Sequence, residues 1–234
     1  MKNASIEADT EQTAALIRRV PAGKSTRRKP QLDRRTNILL AAEKLFAMNG
    51  YHAVSIRDIA AEAQVPLALI GYHYGSKSEL YAAIFESWQG SIDQRLKLLR
   101  AAVADPSAPD AVERIVEAFV NPVLLMHASP EGQYFALMAA RDLSSPAPDR
   151  DSLQAQHFDP MAHAFIDALA ATDPAASRGQ IAWCYQFAVG AMFHFLLSGP
   201  RAELLSKGEI PVGDPAAERL LLRFIVAGFR SVLS

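Results

Sequence analysis

Few side chains of this chain are spaced to make or break a covalent bond. No serine sits in a G-x-S-x-G turn. Cys184 and His194 lie ten residues apart in one apolar stretch, too far along a helix to act as nucleophile and base. His157 and His163 are six apart, His127 stands alone, and no H-x-x-x-H or C-x-x-C pair is present. Neither catalysis nor a metal or other cofactor is therefore expected. The chemistry that remains is binding chemistry, and it concentrates between Ser55 and Lys77. Hydroxyl, cationic and aromatic residues (Ser55, Arg57, Tyr72, His73, Lys77) are interleaved there with the small or apolar Leu67, Ala68, Leu69 and Gly71.

Two short helices joined by a tight turn would position these residues. Ser55 and Asp58 have the spacing of a capping box, and Ile56, Ile59, Ala60 and Ala63 then recur on one helical face. Gln64 and Val65 make the turn, and Pro66 suits the first position of the second helix because its missing N–H would be unpaired there anyway. Gly75 ends that helix, and Ser76 with Glu79 opens a third element. A helix of about two turns is unstable alone and must be held by packing. Its outward residues would be Leu67, Ala68, Gly71, Tyr72 and His73. This is helix-turn-helix geometry, in which the second helix enters the DNA major groove. The helix over 33–49, with Ile38, Leu39, Ala42, Leu45 and Phe46 inward and Gly50 as its stop, is its buttress.

Over about 50 residues, roughly 33–82, the pattern resembles the DNA-binding domain of the TetR family of bacterial transcriptional repressors. The resemblance rests on Ile38, Leu39, Ala41, Ala42, Leu45, Phe46, Gly50, Tyr51, Ile56, Asp58, Ile59, Ala60, Ala63, Val65, Tyr72, His73, Tyr74, Gly75, Ser76, Lys77 and Leu80. It implies phosphate contacts from Tyr72, His73 and Lys77, phosphate or groove-edge contacts from Ser55 and Arg57, and thymine-methyl contacts from Leu67, Ala68 and Leu69. Two departures stand out. Gly71 occupies a position where the family often has a phosphate-gripping tyrosine, and Pro66-Leu67 replaces a small polar pair.

The net charge of −1 conceals an asymmetry. Residues 1–80 carry 12 Lys+Arg against 8 Asp+Glu, whereas residues 81–234 carry 12 against 17. A basic front and an acidic back suit a chain that sets only its N-terminal part on phosphate. Residues 1–30 lack periodicity, end in a basic run from Lys24 to Lys29, and read as a disordered tail. The organisation expected is a tail over 1–30, a DNA-binding domain over 31–80 and a helical ligand-binding and dimerisation domain over 81–234. No run approaches the ~20 apolar residues of a membrane span, and no apolar signal segment opens the chain. A cytoplasmic protein without a membrane partner is expected, and the lone Cys184 reads as a buried, inert thiol.

The back part reads as all-α. Leu80, Ile84, Trp88, Ile92 and Leu96 predict one long helix from Lys77 to about Ala104, able to carry a displacement to the DNA helices. Asp110 with Glu113 should cap the next helix, which meets Pro122. Further helices are expected near 130–142, over 153–171, from 175 to a stop at Gly199-Pro200, and from Asp214-Pro215 to the end. The TetR resemblance implies an inducer pocket in this bundle. Phe119, Leu124, Tyr134, Phe135, Met138, Phe165, Trp183, Phe187 and Met192 are its candidate lining, with Arg141, Gln186 and His194 as polar residues and an anionic lipophilic ligand paired with Arg141. The final helix is apolar round most of its circumference, so a dimer interface is expected from Ala188, Ala191, Phe195, Leu221, Phe224, Ile225 and Phe229, the alternative being a C-terminal helix wholly internal to one chain. The function expected is a homodimeric repressor on a palindromic double-stranded operator, released by a small lipophilic inducer. The alternative is a ligand-independent DNA-binding protein whose bundle only dimerises.

Overall fold

The structure, a computed structural model, describes residues 33–130, 132–143 and 153–233. The expectation for the 1–30 tail lies outside these residues. Among the described residues there are ten helices and no strand. The N-terminal four are α1 (Arg34–Asn49), α2 (Ile56–Glu62), α3 (Leu67–Tyr74) and α4 (Lys77–Ser87). Gly50 ends α1 with φ +81°, its N–H donating to the Phe46 carbonyl, a backbone that glycine adopts without strain. Both capping boxes form: Ser55 with Asp58 opens α2, and Ser76 with Glu79 opens α4.

The remaining six are α5 (Gln89–Ala102), α6 (Ala111–Ala128), α7 (Gln133–Leu143), α8 (Leu153–Thr172), α9 (Arg178–Leu205) and α10 (Pro215–Leu233). A single continuous core of buried side chains runs from α1 to α10, and the most extensive helix pairing is that of α1 with α7.

Three expectations about this part are corrected. The long helix from Lys77 to Ala104 is interrupted at Trp88, whose φ of −108° and ψ of 6° leave the helical region. The Trp88 side chain supplies the cause. It is buried, stacks on Phe135 at 5.2 Å, and donates its indole N–H to the Glu43 carboxylate of α1 at 3.0 Å. A one-residue break leaves Ile84, Trp88 and Ile92 on the inner side, so the four-residue pattern does not register it. Second, Asp110 does not cap α6; its carboxylate accepts from Arg114, which also donates to the Ala102 and Asp105 carbonyls and ties down the preceding loop.

Third, α9 starts from a Ser177–Gln180 capping box and continues through Gly199-Pro200 to Leu205. A proline removes one helical hydrogen bond, and here local packing compensates. Val212 comes close to Gly199, where a Cβ would meet it at 3.3 Å, and the Val212 N–H donates to Glu203 at 2.9 Å. The helix stops only where Lys207 and Gly208 take left-handed backbone angles. With its 28 residues α9 has the length and apolar character of a membrane span, contrary to the sequence expectation. One of its faces is buried against α6, α7, α8 and α10.

Candidate nucleic-acid interface and internal cavity

The turn between α2 and α3 lies at Gln64, with φ +54°; the Gln64 N–H donates to Ala61 and the Val65 N–H to Ala60. Pro66 is the residue just before α3 rather than its first, one position from the expectation. Two residues pin α3 from inside. Ile70 is fully buried, and Tyr74 donates its hydroxyl to the Arg35 carbonyl at 2.8 Å while the Arg35 guanidinium lies over its ring. Gly75, at φ +73°, turns the chain into the Ser76 cap, and a Cβ there would meet the Glu79 carboxylate at 2.5 Å.

With its inner face fixed, α3 shows a bare outer one. Leu67 is 47% and Tyr72 81% exposed, Ala68 is exposed, and a Cβ at Gly71 would meet nothing within 4 Å. Leu69 does not share that face: it is half-buried and packs on the core, because it sits next to Ile70 on the inward side. His73 is half-buried between the Tyr72 and Tyr74 rings, 5.0 and 6.5 Å away. The Lys77 ammonium lies 4.2 Å from the Tyr51 ring centroid. Arg57 is exposed, whereas the Ser55 hydroxyl is committed to its cap, donating to Asp58 at 2.6 Å and accepting from the Asp58 N–H. These hydrogen bonds from Ser55, side chain first, hold the Asp58 carboxyl below its ordinary range.

A cavity of about 130 Å³ lies among α5 to α9. Of the residues expected to line it, Phe119, Phe135, Met192 and Gln186 do. Met138 and Phe165 are core residues behind it, Phe165 meeting Phe119 edge-on at 5.2 Å, and Leu124 and Tyr134 pack in the core without lining it. Trp183 and Phe187 are corrected outright, each being 65% exposed. Tyr185 and Val189 are among the α9 residues that face the cavity, and a helix turns about 200° in two residues, which carries Trp183 and Phe187 to the opposite side. Arg141 is exposed on α7, and His194 is exposed and paired with Ser198.

The cation of the cavity is Arg95 of α5, which the sequence reading passed over. Arg95 is buried, its guanidinium lies 4.9 Å from the centroid of the Phe119 ring, and its Nε has no hydrogen-bond partner. Burial pushes its pKa down to about 10, still cationic at neutral pH, and pushes the neighbouring Tyr185 up to about 12. A signal was available: Arg95 stands between Ile92 and Leu99 in the inward stripe of α5.

The outer side of α9 and α10 carries a second feature. Trp183, Phe187 and Phe224 are exposed, Phe224 by 70%, beside a groove of about 270 Å³ whose walls include Phe187, Ala191, Phe224 and Gly228. Of the expected interface residues Phe224 alone is exposed, and Ala191 and Phe195 are half-buried. Ala188, Leu221, Ile225 and Phe229 are buried within the chain itself, where the latter three hold α10 on the bundle. Cys184 is buried beside them, and burial raises its thiol pKa.

Comparison with known proteins matches the two parts of the chain separately. The family model for bacterial regulatory proteins of the tetR family matches residues 38–84, and that for the tetracyclin repressor-like C-terminal domain matches residues 117–228. The HTH-type transcriptional activator FasR of Mycolicibacterium smegmatis is 36% identical over 106 residues, 43% of this chain and 46% of the relative. The HTH-type transcriptional repressor NicS of Pseudomonas putida is 33% identical over 117 residues, 50% of this chain and 52% of the relative. The chain thus spans about half the length of these curated relatives. Among solved structures, Mycobacterium smegmatis AmtR superposes with a TM-score of 0.56 at 20% identity, covering 89% of this chain and 96% of AmtR. The hemolysin II regulator HlyIIR gives 0.56 at 18%, covering 83% and 95%, and both likenesses speak for the fold. Matched over the helix-turn-helix residues and over the bundle behind them, the chain belongs to the TetR family of helix-turn-helix transcriptional regulators, whose members are regulators and not enzymes.

Proposed function

We propose that the chain is a homodimeric transcriptional repressor that holds a palindromic operator through α3 and is released by a small lipophilic inducer in the cavity. Residues 31–80 read the DNA and residues 81–234 bind the effector and the second subunit. Tyr72, His73, Lys77 and Arg57 meet phosphates, with Ser55 shaping the α2 end that approaches the groove, and Leu67 and Ala68 meet base edges. A single two-turn helix reads few base pairs, so two copies about 34–36 Å apart are needed. The exposed Trp183, Phe187 and Phe224 supply an apolar face on which two copies can pair, because exposed aromatic patches of this kind mark interaction surfaces. Acting on chromosomal DNA, the protein works in the cytoplasm.

The observation that carries the ligand-responsive reading is the joint at Trp88. Phe135 both lines the cavity and stacks on Trp88, and Trp88 holds Glu43 of the α1 buttress. Tyr81, which donates to Asp142 at 3.2 Å, makes a second cross-link between α4 and α7. An occupant that moves Phe135 therefore acts on the element against which α3 is fixed. Release needs only that the inducer bind more tightly to the dimer whose α3 spacing misses two successive grooves.

The test is a selection of duplexes from random DNA with the purified protein, followed by footprinting and mass measurement of the complex. A palindromic footprint with two chains per site is the expected result. Binding to one half-site as a monomer, or indifference to duplex DNA at low salt, would remove the reading. A reporter fused to the operator separates repression from activation, a distinction that matters because one relative is an activator and another a repressor. Operator affinity that no cavity ligand alters would leave a DNA-binding protein whose bundle only dimerises.

A further inference from the structure

We propose that the cavity takes a compact, ring-sized apolar molecule bearing one carboxylate, with Arg95 as its counter-ion. This rests on the reading of the bundle as an effector domain and gives that effector a chemical class.

Arg95 is the ground for it. A guanidinium is a planar fork of five N–H donors that stays charged at neutral pH. Buried on the cavity wall, Arg95 makes no hydrogen bond or ion pair with any described residue, and its Nε is orphaned. It lies over the face of the Phe119 ring, and the Tyr185 phenol interacts with it electrostatically without a hydrogen bond. Buried charges are ordinarily paired, because removal from water costs more than any single packing contact returns. Asp159, the one acidic residue on the wall among the described residues, is exposed and forms no ion pair with Arg95. The donor set is therefore complete on the protein side and lacks an acceptor, which a carboxylate supplies in a bidentate arrangement.

The rest of the wall defines the body of the ligand. Phe135, Phe158, Met126, Met161 and Met192 present rings and thioethers, which adapt to an apolar guest without fixing its polar pattern. At about 130 Å³ the space is of the order that admits one benzene-sized group, as apolar cavities of about 150 Å³ do. One cation is offered, so one negative charge is matched. A phosphate dianion would bring a second charge to a wall whose only other ionisable groups, among the described residues, are Asp159 and Tyr185.

Calorimetry with the full chain tests this, using benzoate and cyclohexanecarboxylate against their uncharged amides. At least one acid should bind about tenfold or more tightly than its own amide. Arg95→Met should abolish that preference, and Arg95→Lys, which keeps the charge, should retain part of it. The assignment is overturned if neither acid binds in the millimolar range, if the amides bind as well as the acids, or if Arg95→Met keeps the acid preference. Should Arg95→Met fail to fold, the acid–amide comparison on the wild type and on Arg95→Lys decides alone. Operator binding followed in the same samples separates this from the regulator reading. An acid held through Arg95 with the operator still bound sinks ligand-triggered release and leaves the assignment standing; release by a neutral molecule with no acid preference does the reverse.

Discussion

The front of the molecule and its back hold their shapes by different means. In α2 to α4 the ends of the helices are written locally: Ser55, Ser76 and Gly75 each act within four residues, while Ile70 is buried in the core and Tyr74 anchors α3 on α1. In the bundle, packing overrides local signals at two places. Trp88 breaks a helix that its neighbours would continue, and α9 passes through a Gly-Pro pair that should stop it. The lesson lies in how each part is specified. The ends of the front helices are set by neighbouring residues, whereas those of the back depend on contacts between helices distant in sequence.

The largest effect that would sharpen this contrast comes from two phenylalanines on α10. Phe229 is 4% exposed, so Phe229→Asp should unfold the chain, costing about 4 kcal/mol or more, rather than release folded monomers. Phe224→Asp should leave the urea midpoint nearly unchanged and yield folded monomers on a sizing column; an unchanged dimer would exclude this face from pairing.

Next in size is the DNA contact. Tyr72→Ala and Lys77→Ala should each weaken operator and non-operator DNA about equally. Loss of Lys77 should also reduce the slope of log affinity against log salt by about 1. A selective loss for one sequence would reassign those residues to base readout.

At the seam between the two regions, Trp88→Phe keeps the ring but removes the N–H donor to Glu43. The expected cost is about 1–2 kcal/mol in denaturant titration, with a reduced inducer effect on operator affinity. Unaltered inducer response would show that Trp88 is a structural joint only.

The smallest effect is at the α2 cap. Ser55→Ala should cost about 1 kcal/mol. The Asp58 carboxyl is held below its ordinary range by Ser55, so the cap's contribution is present above the ordinary carboxylate pKa and is lost as pH falls through the depressed one. The wild type should therefore lose its advantage over Ser55→Ala in acid.

What the sequence determined by itself is whatever depends on residues a few positions apart. The all-α class, the capped helices at Ser55 and Ser76, the turn at Gln64-Val65, the end at Gly75 and the start at Asp214 are of that kind, because a cap or a turn is satisfied by its own neighbours. The outward face of α3 was legible too, apart from Leu69, since helical period alone sets it against Ile70 and Tyr74. Tertiary structure decided which side of α9 and α10 is inside, that Phe229 serves the core and Phe224 the surface, and that the cavity's cation is Arg95 and not Arg141. Helical period names two candidate faces when both are apolar, and only the position of the other helices chooses between them.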